Sequence, residues 1–214
     1  MSLWVNEIFF SLQGESSHAG RPCVFVRLTG CNLRCSYCDT TYAYQEGEQM
    51  RLGEIITQVK SYGCRLVEIT GGEPLIQHET PQLIENLLQE GMEVLLETNG
   101  SLNIEKVDPR CRRIMDIKLP SSGEHTQMRW ENLDLLNQHD EVKFVIGNRT
   151  DYEYAVDILS CHPLLVTRPL PPLFSPVYGE IDLSTLATWI LADKLPVRFQ
   201  IPLHKVIWGE TRGV

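Results

Sequence analysis

No run of roughly 18 consecutive apolar residues, the length that marks a bilayer-spanning helix, occurs in the 214-residue chain. A transmembrane helix is therefore not expected. Positive charge is scarce: 19 Lys and Arg face 28 Asp and Glu, for a formal net charge of −9. That balance argues against a broad nucleic-acid surface, which needs clustered Lys and Arg. It leaves room for a local basic pocket around a small anion. An even set of cysteines for a disulfide framework is also missing. Seven are present, and Cys23, Cys64, Cys111 and Cys161 are scattered singly, so buried, inert thiols are expected of these four. The opening stretch Met1 to Phe10 includes Asn6 and Glu7 and shows no basic start followed by an apolar block. It does not read as a secretory signal, and a cytoplasmic location is the expectation. Internal repeats and low-complexity segments are absent.

What is present is apolar material, 43% of residues, enough for the core of a single domain over residues 1–214. Strand-like runs occur at 24–28, 66–69, 94–97, 114–117, 142–146, 164–167 and 197–201. Between them lie stripes at helical spacing: Leu52, Ile55, Ile56, Val59 and Tyr62, stopped by Gly63; Leu83, Ile84, Leu87 and Leu88, stopped by Gly91; Tyr152, Ala155, Val156, Ile158 and Leu159; and Leu183, Leu186, Trp189 and Ile190. Trp130, Leu133 and Leu136 suggest a further short helix. Repeated strand–helix units with connections of this length imply a mostly parallel α/β sheet. The strands are too few for a closed eight-stranded barrel, so a partial barrel of about six strands fits better. Unusual polar residues gather just past the strand ends, which in such folds share one ligand-binding face. The proline-rich stretch 168–172 is expected as an ordered loop on that same face.

The strongest motif is Cys31-Asn-Leu-Arg-Cys35-Ser-Tyr-Cys38. Three thiolates can hold three irons of a [4Fe–4S] cube and leave the fourth open to a small molecule. A structural zinc site is the main alternative, with Cys23, His18 or His204 as fourth ligand, although the usual second Cys-x-x-Cys pair is missing. A redox disulfide would engage only Cys35 and Cys38. Arg34 and nearby backbone donors are placed to steady thiolate charge. Thr70-Gly-Gly-Glu-Pro74 directly follows its strand, and its glycines allow a ligand close to the backbone, while Glu73 offers an acceptor for an ammonium or a means of fixing the loop. Glu97-Thr-Asn99-Gly100 ends the next strand with groups suited to ribose or ammonium contact. Arg27 lies within an apolar strand, where an unpaired guanidinium is costly; its partner is either a ligand carboxylate or a protein acid such as Glu15 or Glu68. Lys118 either neutralises a ligand carboxylate or pairs with Asp116.

The cysteine motif together with Thr70-Gly-Gly-Glu-Pro74 resembles the radical S-adenosylmethionine (SAM) superfamily. A narrower resemblance, to the 7-carboxy-7-deazaguanine synthases of queuosine and deazapurine biosynthesis, rests on Glu7-Ile-Phe-Phe-Ser-Leu-Gln-Gly-Glu15, Phe25-Val-Arg-Leu-Thr-Gly-Cys31, Cys38-Asp-Thr40, Asp116-Ile-Lys-Leu-Pro-Ser-Ser-Gly123, Gln200-Ile-Pro-Leu-His204 and Trp208-Gly209. It implies an abbreviated radical-SAM (β/α) barrel, a homodimer, a reductant protein such as flavodoxin or ferredoxin, and a reaction on a pterin, 6-carboxy-5,6,7,8-tetrahydropterin, that contracts its ring and releases ammonia. SAM is regenerated in this family. By position, the resemblance assigns the [4Fe–4S] cluster to Cys31, Cys35 and Cys38, and SAM contacts to Tyr37, Cys38, Asp39, Gly72 and Ser121. It assigns a Mg2+ ion to Thr40, with Asp39 as the rival ligand. Substrate contacts fall on Leu12, Gln13, Gly14, Arg27 and Thr70, with His204 and the final residues in second rank. Small radical-SAM activases of glycyl-radical enzymes and a zinc-stabilised binding module are the competing readings.

Overall fold

Alternation along each strand sorts residues between helix-facing and cavity-facing positions. The computed structural model describes residues 1–214. In chain order the elements are β1 (Ser2–Leu12), β2 (Pro22–Leu28), β3 (Glu48–Arg51), α1 (Leu52–Ser61), β4 (Leu66–Gly71), α2 (Thr80–Gln89), β5 (Glu93–Thr98), β6 (Arg112–Ile117), α3 (Asn132–Leu135), β7 (Glu141–Ile146), α4 (Arg149–Cys161), β8 (Leu173–Pro176), α5 (Leu183–Ala192), β9 (Arg198–Phe199) and α6 (Leu203–Trp208). One sheet holds all nine strands in the order β3-β1-β2-β4-β5-β6-β7-β8-β9. From β2 to β9 every pairing is parallel, whereas β1 pairs antiparallel with both β2 and β3. No helix is long and apolar enough to cross a membrane.

The helix-facing residues form the main core. Val24, Val26 and Leu28 of β2, Val67 and Ile69 of β4 and Val94 and Leu96 of β5 pack against Ile55 and Val59 of α1 and Leu83, Ile84 and Leu87 of α2. On the other half, Val142, Phe144 and Ile146 of β7 pack with Tyr152, Ala155 and Ile158 of α4 and Leu186 of α5. Each such side chain removed from water contributes on the order of 1.5–3 kcal/mol. The alternate residues point inward. Cys23, Phe25, Leu66, Leu95 and Ile114 make a small apolar floor. One step further along the strands stand Arg27, Glu68, Glu97, Asp116 and Lys143, the polar wall of the cavity.

The parallel segments and the main helices fall where periodicity puts them; four expectations are corrected. β1 and β3 add an antiparallel edge to the sheet that the strand-like runs do not include. Residues 164–167 belong to a 3-10 turn, Pro163–Thr167; the eighth strand is Leu173–Pro176. Stretch 168–172 precedes that strand and so lies at the opposite end of the sheet from the ligand face, where Arg168 donates to the Asn137 and Asp140 carbonyls. Cys161 is exposed and Cys64 half-exposed, whereas Cys23 and Cys111 are buried.

Two chain segments complete the barrel. The loop after β1 places Gly14 O to accept from Leu203 N (2.8 Å), and the Gln200 amide exchanges two 2.8 Å bonds with the Ser16 backbone. The C-terminal segment is thereby tied to the β1–β2 loop. Its end is strapped by Arg212, whose guanidinium stacks 3.6 Å from the Tyr42 ring centroid and pairs with Glu46 at 2.8 Å.

Candidate active site

A cavity of about 320 Å³ runs from the three cysteines into the barrel. Cys31, Cys35 and Cys38 all line it and are unbridged. Their loop is held by its own backbone and by Arg34, which donates to the Cys31 and Leu33 carbonyls at 2.8 and 2.6 Å. Cys31 Sγ accepts from Leu33 N at 3.4 Å and, more weakly, from Asn99 Nδ2 at 3.9 Å. Burial pushes the Cys35 thiol up to about 11 against the opposing Lys118 charge, and raises Cys31 as well. No group of three His, Cys, Asp or Glu side chains gathers tightly enough to clasp a single metal ion. His18 is engaged with Glu93 at 2.8 Å, and neither it nor Cys23 reaches the cavity; His204 does line it, but no three metal-ligating side chains gather there in the arrangement a zinc site needs. Three separated thiolates do suit a cube, in which each binds a different iron.

The glycines at the end of β4 do more than line the cavity. A Cβ on Gly71 would lie 2.2 Å from Leu28 O, and one on Gly72 would lie 2.1 Å from Gly30 O and 2.7 Å from Cys31 Cβ. They let β4 press against the backbone that presents the first cysteine, while still lining the cavity. Glu73 stands away from the cavity and is fully buried. Its carboxylate accepts from Leu75 N, Thr98 Oγ1 and Asn99 N at 3.0, 2.9 and 2.7 Å, which fixes the loop and leaves no free oxygen for an ammonium. Burial, opposed by those donors, raises its acid to about 7.

Most of the remaining residues named from sequence converge. Leu12, Gln13, Gly14, Arg27, Thr70, Glu97, Asn99 and His204 line the cavity, as do Tyr37, Asp39 and Thr40 near its cysteine end. Ser121 does not: its amide and hydroxyl both donate to Asp151, which anchors it to the start of α4. The Arg27 partner is neither Glu15 nor Glu68. Its Nε donates to Glu7 Oε1 at 2.8 Å, and its two Nη nitrogens have no protein acceptor. Lys118 pairs with Asp116 Oδ2 at 2.8 Å. Thr40 Oγ1 donates to Asp39 Oδ1 at 2.9 Å, and Asp39 pairs with Lys205 at 3.1 Å. Burial opposes ionisation of Asp39, yet Lys205 and Thr40 hold it below the ordinary carboxylate range.

Two buried polar atoms facing the cavity, Tyr37 Oη and Asp116 Oδ1, have no protein partner. Buried polar atoms are normally satisfied, so these mark a surface made for a polar ligand. Lys143 and Glu68 also line the wall. Lys143 was not singled out from sequence, although a lysine amid the apolar residues of β7 carried the same signal as Arg27.

A model described as the radical SAM superfamily matches residues 25–160. A 7-carboxy-7-deazaguanine synthase from Chlorobaculum tepidum is 45% identical over 214 residues, covering 98% of this chain and 96% of that one. One from Koribacter versatilis is 44% identical over 225 residues, covering 98% and 99%. The crystal structure of QueE from Escherichia coli aligns with a TM-score of 0.79 at 24% identity, covering 95% of both chains, and so supports the fold: a partial radical-SAM barrel. Streptococcus suis SuiB bound to SAM shares less of it, with a TM-score of 0.52 at 14% identity over 81% of this chain and 45% of that one. The full-length identity and the cysteine-lined cavity agree, and the chain belongs to the 7-carboxy-7-deazaguanine synthase family, radical SAM enzymes that work with an iron–sulfur cluster and SAM.

Proposed function

We propose that this enzyme contracts the pyrazine ring of 6-carboxy-5,6,7,8-tetrahydropterin to give 7-carboxy-7-deazaguanine and ammonia, using a [4Fe–4S] cluster on Cys31, Cys35 and Cys38. The observation that carries this reading is one cavity that joins the open cysteine triad to a cationic side chain with free donors, Arg27. When bound, cluster and SAM supply a carbon-centred radical able to take a hydrogen atom from the substrate. The protein's own part is to orient and enclose.

Arg27 is clamped through Nε by Glu7, so its two Nη groups are presented to a ligand carboxylate in a fixed direction. Gln13 forms a rigid edge: its amide donates to Glu68 and accepts from Glu15 N at 3.0 Å. Tyr37 and Asn99 suit the SAM end. His204 and Val214, also on the lining, close the far side against water and competing hydrogen donors.

Arg27→Ala is expected to lower kcat/KM by roughly 10–100-fold, mostly through KM, since a charge-assisted pair to substrate is removed. Glu7 is left with Tyr42 at 3.0 Å and Arg212 at 3.8 Å, so no buried charge is orphaned and the cluster should load normally. An unchanged kcat/KM in anaerobic steady-state assays removes the carboxylate contact.

Mg2+ belongs to the same reading, at the Thr40 hydroxyl. A single hydroxyl beside a lysine-paired Asp39 is a weak site on its own, so a Mg2+ held at Thr40 would need further oxygen ligands from outside the protein. Metal-free enzyme should therefore gain turnover on addition of Mg2+, and Thr40→Ala should respond far less. Equal stimulation of both proteins would place the metal elsewhere. A homodimer and a flavodoxin- or ferredoxin-type electron donor complete the proposal; light scattering on the purified protein tests the first.

A further inference from the structure

Lys143 lies on the inner face of β7 with 5% of its side chain exposed. A buried ammonium is costly unless its protons are met. Here Nζ is 2.7 Å from Glu15 Oε2, makes a very close ion pair with Glu97 Oε1, and lies 3.9 Å from Asp116 Oδ2. One cation thus ties together the loop after β1, strand β5 and strand β6. Glu68 from β4, Arg27 from β2 and Lys118 beyond β6 are the other charged groups facing this cluster. Glu97 and Glu15 are not sealed in with the lysine. Their side chains keep 29% and 23% of their surface, and both line the cavity. Glu97 Oε2 receives only a long 3.3 Å bond from Thr70.

We propose that Lys143 is a positioning residue that holds Glu97 and Glu15 as an aimed carboxylate pair for the amidine-like N–H edge of the bound heterocycle. This rests on the pterin reading above. A pterin presents its ring N3–H and its 2-amino group side by side, two donors that one carboxylate can accept together. A lumazine, with a carbonyl in place of that amino group, faces the same oxygens with an acceptor and is repelled. The lysine thereby sets which ring the cavity admits.

The charge state follows from the same contacts. Burial alone would drive Glu97 toward its neutral acid; Lys143, by charge and hydrogen bond, then Lys118 and Arg27, bring it below the ordinary carboxylate range. Without Lys143, burial is opposed only by Lys118 and Arg27, the acid form gains population as pH falls, and an acceptor is lost.

The test is equilibrium fluorescence titration of anaerobically reconstituted enzyme, loaded with SAM and without reductant, using 6-carboxypterin and 6-carboxylumazine as non-reacting probes. Wild type should bind the pterin at least about tenfold more tightly, with little change between about pH 6 and 8. Lys143→Met should bind it about tenfold more weakly at the acid end, recover as pH rises, and lose preference over lumazine; Lys143→Arg should restore most of both. Glu97→Gln should lose the preference at every pH, and the double variant should be no worse than Glu97→Gln alone. A Lys143→Met enzyme with wild-type affinity and a flat pH profile overturns the proposal. So does a loss that is equal at every pH and additive with Glu97→Gln. Should Lys143→Met fail to fold, Glu97→Gln decides: an intact preference for pterin overturns it. Wild-type enzyme that loads cluster and SAM but binds neither probe refutes the pterin reading itself.

Discussion

Iron and sulfide should fall from about four of each per chain to a small remnant in Cys31→Ala, Cys35→Ala or Cys38→Ala, and turnover should vanish with them. The three sulfurs are unbridged and open onto one cavity, and no compact group of His, Cys, Asp and Glu side chains stands ready to replace a lost one. Loading must also displace protons, because burial raises the Cys35 thiol to about 11 and Cys31 in the same direction. Cluster assembly should therefore release protons and proceed more completely as pH rises toward those values. The remaining cysteines supply the controls. Cys161 is exposed, and its replacement by Ala should change neither iron content nor activity. Cys23→Ala opens a small hole in the barrel floor, costing about 1 kcal/mol, yet should leave the cluster whole. Full iron content in any variant of the triad contradicts the assignment.

Gly72→Ala should be nearly as damaging, through a clash with the cysteine loop itself. The added methyl would meet Gly30 O at 2.1 Å and Cys31 Cβ at 2.7 Å. Backbone cannot swing aside as a flexible side chain can. Two bonds hold the approach, Gly72 N to Leu28 O at 3.3 Å and Glu73 N to Gly30 O at 2.8 Å. Relief requires β4 and the cysteine loop to separate, at ~2–3 kcal/mol. Urea unfolding of the apo-protein should show that loss, and reconstitution should yield substoichiometric iron because Cys31 is displaced. A variant with an unchanged midpoint and a full cluster would show that the loop yields without cost.

The sequence made the parallel strands legible because their helix-facing residues pack into a continuous core and read as apolar runs. It did not reveal β1, whose exposed Trp4 and Phe10 and interspersed polar residues break any simple alternation. Leu164 to Thr167 looked like a strand by composition, but Pro163 starts a tight turn there, and the strand that follows is only Leu-Phe-Ser-Pro. The cysteines, Gln13, Arg27 and Thr70 were legible as a site. Partners were not, since ion pairing across strands depends on register: Arg27 found Glu7, from the antiparallel strand that had gone unread. Lys143 was missed for a related reason. Its partners come from residues 15, 97 and 116, far apart in sequence, and only the curved sheet brings them together.

The most direct measurement is an anaerobic assay with reductant, SAM, Mg2+ and 6-carboxy-5,6,7,8-tetrahydropterin, followed by chromatography of the products. The account predicts 7-carboxy-7-deazaguanine in multiple turnovers, with ammonia released in equal amount and SAM not consumed in proportion. Enzyme with a complete, reducible cluster that yields no deazaguanine from this pterin would contradict it.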